Sequence, residues 1–475
     1  MASGADWAFM DTLRPPVYVC LRRKSDDCDA GGERMKLDGH VEKDAWGHVP
    51  WSDSFVDIEG HERKPVEHPR TRFKMMHDDN TLYVAAELME PKVWGTLTEQ
   101  NSTLYHENDF EVFLNPDGSR QHYYEVEVNC LNTTWELLLH RPYKDGHSIE
   151  NPFNLTSLDS AVAVDGVANS PGTTCVRWCV EMSWSLVELE QFDKLRFRGG
   201  GVPKALSTAA VSEPLSAPAT SSTVTGNVWR VNFSRVQYEL ETTVDPDTQQ
   251  VQYRKVQGKP EDNIVWAPTG VIDIHRPERW GYVLFSSTDD LTCGELELAS
   301  AMTTYLEEQI AMERVLDAIY YQQRAFHATH NGFASTMEML YSEPTHHTAL
   351  DSSALPDDQT PKKWTDAFPL HDLLRHYRLD TPVLSCDGDL DTSGECPAAR
   401  NESDDIVTAH ADCSTVSKCL EDATPSTQRS HLQKTQTSSV RGLVSQYTAT
   451  VRSSTQEWRM THTGKLWKSA QCNGL

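Results

Sequence analysis

Two pairs of carboxylates, Asp109 with Glu111 and Glu125 with Glu127, combine residue type and spacing in a way that could do chemistry. On a β-strand, residues two apart share a face and lie roughly 6.6 to 7 Å from one another along the strand. A glycoside hydrolase needs two carboxylates about 5 to 10 Å apart, so the distance is compatible with acid catalysis. The same pattern also describes an acidic stripe that faces a polar ligand or only water. Tyr123 and Asn129 share the parity of Glu125 and Glu127. An acidic and aromatic face of this kind can hold a polar ligand.

The elements that must position these residues lie between Leu104 and Leu139, which read as three strands joined by two turns. In the first strand Phe110, Val112 and Leu114 alternate with Asp109, Glu111 and Phe113. Asn115-Pro116-Asp117-Gly118 is the turn, where Pro presets one backbone angle and Gly supplies a positive one. The second strand alternates Tyr124, Val126 and Val128 with Tyr123, Glu125, Glu127 and Asn129. The third, Trp135 to Leu139, is apolar. Such alternation is what a half-buried antiparallel sheet requires.

Other chemical signatures are missing from the sequence. The Gly199-Gly200-Gly201 run lies in an Ala, Ser, Thr and Pro-rich stretch and forms no phosphate loop. No His-Glu-x-x-His or Gly-x-Ser-x-Gly pattern occurs, and His346-His347 sits in a polar stretch. No catalytic residue and no metal ligand is assigned on this basis.

The chain has 475 residues, room for one large domain plus a second region or for two to three domains. Its formal net charge of −27 argues against nucleic acid or an anionic membrane surface as partner, while sugars and cations remain compatible. The 11 cysteines are irregularly spaced, which favours reduced thiols over a disulfide framework. The first 20 residues lack the apolar core of a signal peptide. No run approaches the roughly 20 apolar residues of a membrane span. The expectation is a cytoplasmic or otherwise intracellular protein, with secretion left open. Sequons such as Asn101, Asn132 and Asn232 carry little weight without an export signal.

Along the chain, residues 1–16 read as a flexible leader. Residues 17–287 contain many short strands separated by turns, the pattern of an antiparallel β-sandwich. Within them, 198–227 holds almost no large apolar residue and reads as a disordered insertion. Leu306, Ile310, Val315, Leu316 and Ile319 recur at helical spacing and place a helical segment at 295–343. Residues 344–440 are rich in Ser, Thr, Asp and Pro and read as disordered. Residues 441–475 read as a small β-hairpin packing on the helix. The fold class expected is mainly β, with a C-terminal α+β addition.

Residues 17–286 resemble the family 9 carbohydrate-binding modules, in the variant called carbohydrate-binding family 9-like. The segments LDGHVEKDAWGHVPWSDSFVDIEG (37–60), TRFKMMHDDNTLYVAAELMEPKVWGTLTEQNSTLYHENDFEVFLNPDGSRQHYYEVEVNCLNTTWELLL (71–139), NVWRVNFSRVQYE (227–239) and EDNIVWAPTGVIDIHRPERWGYVLFSS (261–287) carry the resemblance, in order, over more than half the chain. It implies a non-catalytic β-sandwich that binds polysaccharide or oligosaccharide. It also implies a link to glycoside hydrolases that break down plant polysaccharides of the xylan or cellulose type, and calcium as a structural ion in some members.

Better-known members clamp a sugar ring between two tryptophans. At the first clamp position this chain has Tyr105, and the ligand-facing acid of the next strand matches Glu111. Glu127 stands where an arginine is expected, followed by the matching Asn129. The second clamp position falls near Ile274-His275. Trp94, Trp266 and Trp280 are the remaining aromatic candidates. The resemblance therefore implies a carbohydrate-binding set of Tyr105, Glu111, Glu127, Asn129, His275, Trp94 and Trp266. Two other readings remain open: a glycoside hydrolase acting on O-glycosyl bonds, or an accessory subunit of one, and an interaction scaffold that has lost sugar binding.

Overall fold

A computed structural model describes residues 9–24, 34–190, 228–301, 307–342, 382–386, 443–452 and 457–469. In chain order the sandwich is built from β1 (Val17–Arg22), β2 (Val56–Asp57), β3 (Thr71–His77), β4 (Thr81–Met89), β5 (Asp109–Asn115), β6 (Tyr123–Asn129), β7 (Thr134–Arg141) and β8 (Ser148–Glu150). There follow β9 (Asp159–Asp165), β10 (Arg177–Ser185), a short helix α1 (Leu186–Leu189), β11 (Val228–Gln237), β12 (Leu240–Val244), β13 (Val251–Lys255), β14 (Asp262–Val265) and β15 (Gly281–Phe285).

Two sheets face one another. The first runs β8-β7-β6-β5-β11-β15-β1 and the second β1-β3-β4-β10-β9, with β14 and β2 added beside β11. Strand β1 belongs to both. Val17–Cys20 pair with Tyr282–Phe285 of β15, and Leu21–Arg22 pair with Met76–His77 of β3. Both pairings are parallel, so the sheet system is mixed rather than purely antiparallel. Sequence alternation shows which residues face inward but not the direction of a distant partner, and β1 and β15 are far apart in the chain.

Alternation sets the interior. Phe73 and Met75 of β3, Val84 and Ala86 of β4, and Val180, Met182 and Trp184 of β10 pack onto Phe110, Val112, Val126, Val128, Val231 and Phe233 of the first sheet. Phe73 and Phe233 stack with centroids 4.0 Å apart. Each fully buried side chain of this size contributes about 1.5 to 3 kcal/mol relative to exposure. Trp266 lies in this core, 5% exposed, edge-on to Phe73 at 5.0 Å. Gly281 is required there, because a β-carbon on it would sit 2.3 Å from the Trp266 ring.

The turns follow the sequence closely. Gly118 has φ +63° and its N–H donates to Asn115 O at 3.2 Å. In the β3–β4 turn, Asp78 Oδ1 accepts the N–H groups of Asn80 and Thr81 at 2.9 and 2.8 Å. Trp184 belongs to β10, and the short helix α1 follows it at Leu186–Leu189. Among the described residues Cys20, Cys130, Cys175, Cys179 and Cys293 are free thiols.

The C-terminal unit comprises helices α2 (Leu291–Ala301), α3 (Glu307–His330) and α4 (Met337–Ser342) with β16 (Phe333–Ala334), β17 (Val383–Cys386), β18 (Leu443–Val444), β19 (Tyr447–Arg452), β20 (Glu457–Thr461) and β21 (Leu466–Ser469). The expected hairpin is the β19–β20 pair of a four-stranded sheet, β17-β19-β20-β21, packed against α3. Met312, Val315, Leu316 and Ile319 of α3 form its core with Tyr447, Val451, Trp458 and Met460. Strand β17 lies inside the stretch expected to be disordered, and its pairing with β19 corrects that expectation for these residues. The other residues of 344–440, and the expected insertion at 198–227, lie outside the described residues. Residues 9–16 are not a loose leader: Met10 is fully buried against α3, and Asp11 pairs with Arg314 at 2.7 Å.

Candidate functional site

The outer face of the first sheet carries the site. Its strand register sets Glu111 opposite Glu127, Asp109 opposite Asn129, and Phe113 opposite Glu125 across β5 and β6. On the other side of β5, β11 places Ser234 opposite Glu111 and Val236 opposite Asp109. One carboxylate oxygen each from Asp109, Glu111 and Glu127 lie within 4.8 Å of one another. Glu125 adjoins them on the same face.

These acids are not a solvated stripe. Asp109 is 0%, Glu127 1%, Glu111 5% and Glu125 6% exposed. Among the described residues no Lys, Arg or His forms an ion pair with any of them. The Tyr105 N–H donates to Glu127 Oε2 at 3.0 Å, and the Val236 N–H reaches Asp109 Oδ1 at 3.3 Å. Asp109 Oδ2 and Glu125 Oε2 are buried without a hydrogen-bond partner.

Burial, reinforced by the Glu111 charge, pushes Asp109 well above the usual carboxylate range. Burial raises Glu111 to about 7 against the opposing effect of Ser234. Glu125 is pushed up by burial and then Glu111, and Glu127 by burial and then Asp109, Glu111 and Glu125. Four like charges in so small a volume require protons or a positive partner.

Two exposed tyrosines rim this floor. A 3-10 turn, Leu104–His106, buries Leu104 and carries Tyr105 to the surface, 44% exposed and stacked 6.0 Å from Trp135. Tyr143, in the 3-10 turn Tyr143–Asp145 after β7, is also 44% exposed and meets His275 edge-on at 4.5 Å. Burial, then Glu125, Tyr105 and Glu127, push the Tyr143 hydroxyl up to about 12. His275 is half-buried, with Nδ1 2.9 Å from the Tyr123 hydroxyl. Burial, followed by Arg276, lowers it to about 3, so its ring is neutral.

Of the residues expected from the sequence, the structure brings together Tyr105, Glu111, Glu127 and His275. Asn129 lines up with them but is fully committed. Its amide donates to Leu97 O and Glu107 Oε1, both at 2.8 Å, and accepts from the Leu131 and Thr133 N–H groups, both at 3.0 Å. It therefore holds the loop before Tyr105 and is not a ligand contact. Trp266 is corrected to a core residue, and Trp280 is fully buried with Phe113 and Tyr123. Trp94 is half-buried against Val236, Tyr238 and Leu240, outside the acid cluster. Sequence reasoning missed Tyr143, whose one local signal is an aromatic side chain in the Arg141-Pro142-Tyr143-Lys144-Asp145-Gly146 turn. It named Asp109 and Glu125 as paired acids without placing them in the binding set.

A second hollow, of about 610 Å³, lies beside β7 among Gln100, Asn101, Asn132, Glu136, Asn154 and Ser160. It is polar and includes neither tyrosine and none of the four clustered acids.

The fold and site define a mainly β sandwich with a cluster of buried acids and two exposed tyrosines beside one sheet face. Residues 37–157, which contain β5, β6 and both tyrosines, match the family model described as "Carbohydrate family 9 binding domain-like". That segment bears out the resemblance read from the sequence and supports carbohydrate binding.

Among solved structures, the chain is similar to a Bacteroides uniformis ATCC 8492 protein provisionally described as carbohydrate-binding. The two are 14% identical with a TM-score of 0.37, over 57% of this chain and 99% of that one. It is also similar to a family 9 carbohydrate-binding module of Caldicellulosiruptor kristjanssonii solved with cellotriose (15% identity, TM-score 0.30, 57% of this chain and 94% of that one) and with glucose (16% identity, TM-score 0.31, 58% and 98%). No curated protein matches the sequence. Among the described residues, no helix is long and apolar enough to cross a membrane.

Proposed function

We propose that this protein binds carbohydrate without turning it over, on the sheet face that carries Tyr105, Tyr143 and the clustered acids. The observation that carries this reading is the pair of exposed tyrosines over buried, uncompensated carboxylates. Apolar C–H faces of a sugar ring stack on aromatic planes, and hydroxyl groups donate strong hydrogen bonds to carboxylate oxygens. This reading assigns the stacking to the two tyrosines and the hydrogen bonds to the acids beside Tyr105. The substrate class proposed is an oligosaccharide or polysaccharide of the xylan or cellulose type, in keeping with a role in polysaccharide breakdown.

Hydrolysis of O-glycosyl bonds is the second reading, because acids of suitable spacing are present. It needs one carboxylate held ionised beside a protonated partner on the far side of the substrate. Here all four acids share one sheet face and are raised together, which favours binding.

Calorimetric titration of the full chain with xylo- and cello-oligosaccharides, together with pull-down on insoluble glycans, tests the proposal. Binding is expected to weaken by tenfold or more in Tyr105→Ala and in Tyr143→Ala, with the fold intact, as about 1 to 3 kcal/mol of stacking is lost. Release of reducing ends would turn the reading to the hydrolase. Folded protein that binds no glycan would overturn it and leave the interaction scaffold in its place.

A further inference from the structure

The carboxylates under the tyrosines have the geometry of a cation site. Two oxygens held by one calcium ion, each at about 2.4 Å, can be at most about 4.8 Å apart. The oxygens of Asp109, Glu111 and Glu127 meet that limit in all pairings. Independently of this triad, Glu125 is 6% exposed, with Oε2 buried and unpartnered next to Glu111 and Glu127. Asp109 Oδ2 is likewise without a partner.

Buried carboxylates elsewhere in the molecule are supplied with positive charge or donors. Glu181 accepts from Trp46 Nε1 at 2.7 Å and pairs with Lys43 at 2.8 Å, and Glu90 pairs with Arg235 at 2.6 Å. The acids under the tyrosines have donors in the Tyr105 and Val236 N–H groups but, among the described residues, no basic side chain, so a cation from solution would supply the charge they lack.

We propose that Asp109, Glu111 and Glu127 bind a divalent cation, calcium by preference, on the outer face of the first sheet beside Tyr105. The ligand set is all oxygen, with no imidazole or thiolate, which selects a hard ion over zinc. Calcium takes six to eight oxygens in flexible geometry, so the ion keeps positions that water or vicinal sugar hydroxyls can fill. Glu127 is anchored for this role by the Tyr105 N–H, which ties the ion site to the position of the rim tyrosine. The sugar-bridging part of this inference rests on the proposed carbohydrate function; the ion site itself does not.

The test uses the full chain stripped with a chelator. Terbium is titrated with excitation of the neighbouring aromatic residues, Tyr105 and Trp135, and then displaced by calcium. The melting temperature is read with calcium, magnesium and chelator. Sensitised emission that calcium displaces, and a rise of several degrees in Tm with calcium, are expected. Asp109→Asn and Glu127→Gln should each lower calcium affinity by about tenfold or more, while Glu295→Gln on α2 leaves it unchanged. Absence of both the emission and the Tm rise in wild type, or affinity unaltered in both variants, overturns the site. Glycan binding insensitive to chelator also overturns the bridging role and leaves the carbohydrate reading standing. Calcium binding by protein that binds no glycan does the reverse.

Discussion

Two buried clusters of charge occupy the same outer face of the first sheet, and they are built on opposite plans. In one, Asp109, Glu111, Glu125 and Glu127 lie together with no cation beside them among the described residues. In the other, at the junction with α3, every acid has a basic partner. Arg120 pairs with Asp317 and also reaches Glu313 at 3.2 Å, and Arg230 pairs with Glu313. Lys144 pairs with Asp145 at 3.0 Å and lies 3.6 Å from Glu278. Burial raises Glu313, but Arg230 and Arg120 hold it down to about 2. Burial also raises Glu278, and Lys144, Arg276 and Arg120 bring it to about 2. The closed cluster fastens two parts of the chain. The open one is left for a ligand.

The largest effects should come from breaking what is closed. Trp266→Ala opens a cavity between the sheets and should cost about 3 to 5 kcal/mol in chemical denaturation. Arg120→Met strands Asp317 without its cation, while Glu313 keeps Arg230, and should cost a similar ~3 to 5 kcal/mol. Limited proteolysis should then show the C-terminal unit released before the sandwich unfolds.

Acid should act on the same junction. Glu313 and Glu278 have folded pKa values of about 2, below the roughly 4.5 of an unfolded glutamate, so each stabilises the fold above about pH 4.5. That contribution disappears as pH falls from about 4.5 towards 2. A melting series over this range should show the junction weakening, and the series for Arg120→Met should be flatter.

Neutralising the open cluster should have the opposite sign. Glu111→Gln removes one of several mutually repelling, desolvated carboxylates and should stabilise the chelated protein by about 1 kcal/mol, read as a rise in Tm. The smallest effect on stability belongs to the rim. Tyr105→Ala, at an exposed site, should change it by less than about 0.5 kcal/mol while weakening glycan binding.

Much of the scaffold was legible in local pattern. Phe110, Val112 and Leu114 alternate with acids because one face of β5 is buried in the sandwich, and the turn at Asn115–Gly118 forms as its residues dictate. Glu111 and Glu127 could be placed on outer faces for the same reason, whereas Tyr105 was indicated only by the family resemblance. Burial of the acids could not. It is a property of the tertiary fold, and strand alternation does not report what lies over the outer face.

The parallel pairings of β1 were invisible because register with a distant strand leaves no local periodicity. Asn129 had the right position for a ligand residue, but its hydrogen bonds to Leu97, Glu107, Leu131 and Thr133 are tertiary facts. Trp266 looked available because a tryptophan near a turn reads the same whether it points inward or outward. The junction joins Arg120 to Asp317 across 197 residues, beyond any pattern in the sequence.

The most direct test measures two variants for both properties. Asp109→Asn/Glu127→Gln and Arg120→Met are each assayed for denaturation and for calorimetric binding of one xylo- or cello-oligosaccharide that the wild type binds. The acid variant should keep or gain stability and lose binding by tenfold or more, while Arg120→Met should lose stability and keep its affinity while folded. An acid variant that unfolds yet binds sugar normally when folded, or an Arg120→Met protein that is stable but cannot bind, would contradict the assignment of one cluster to ligand and the other to structure.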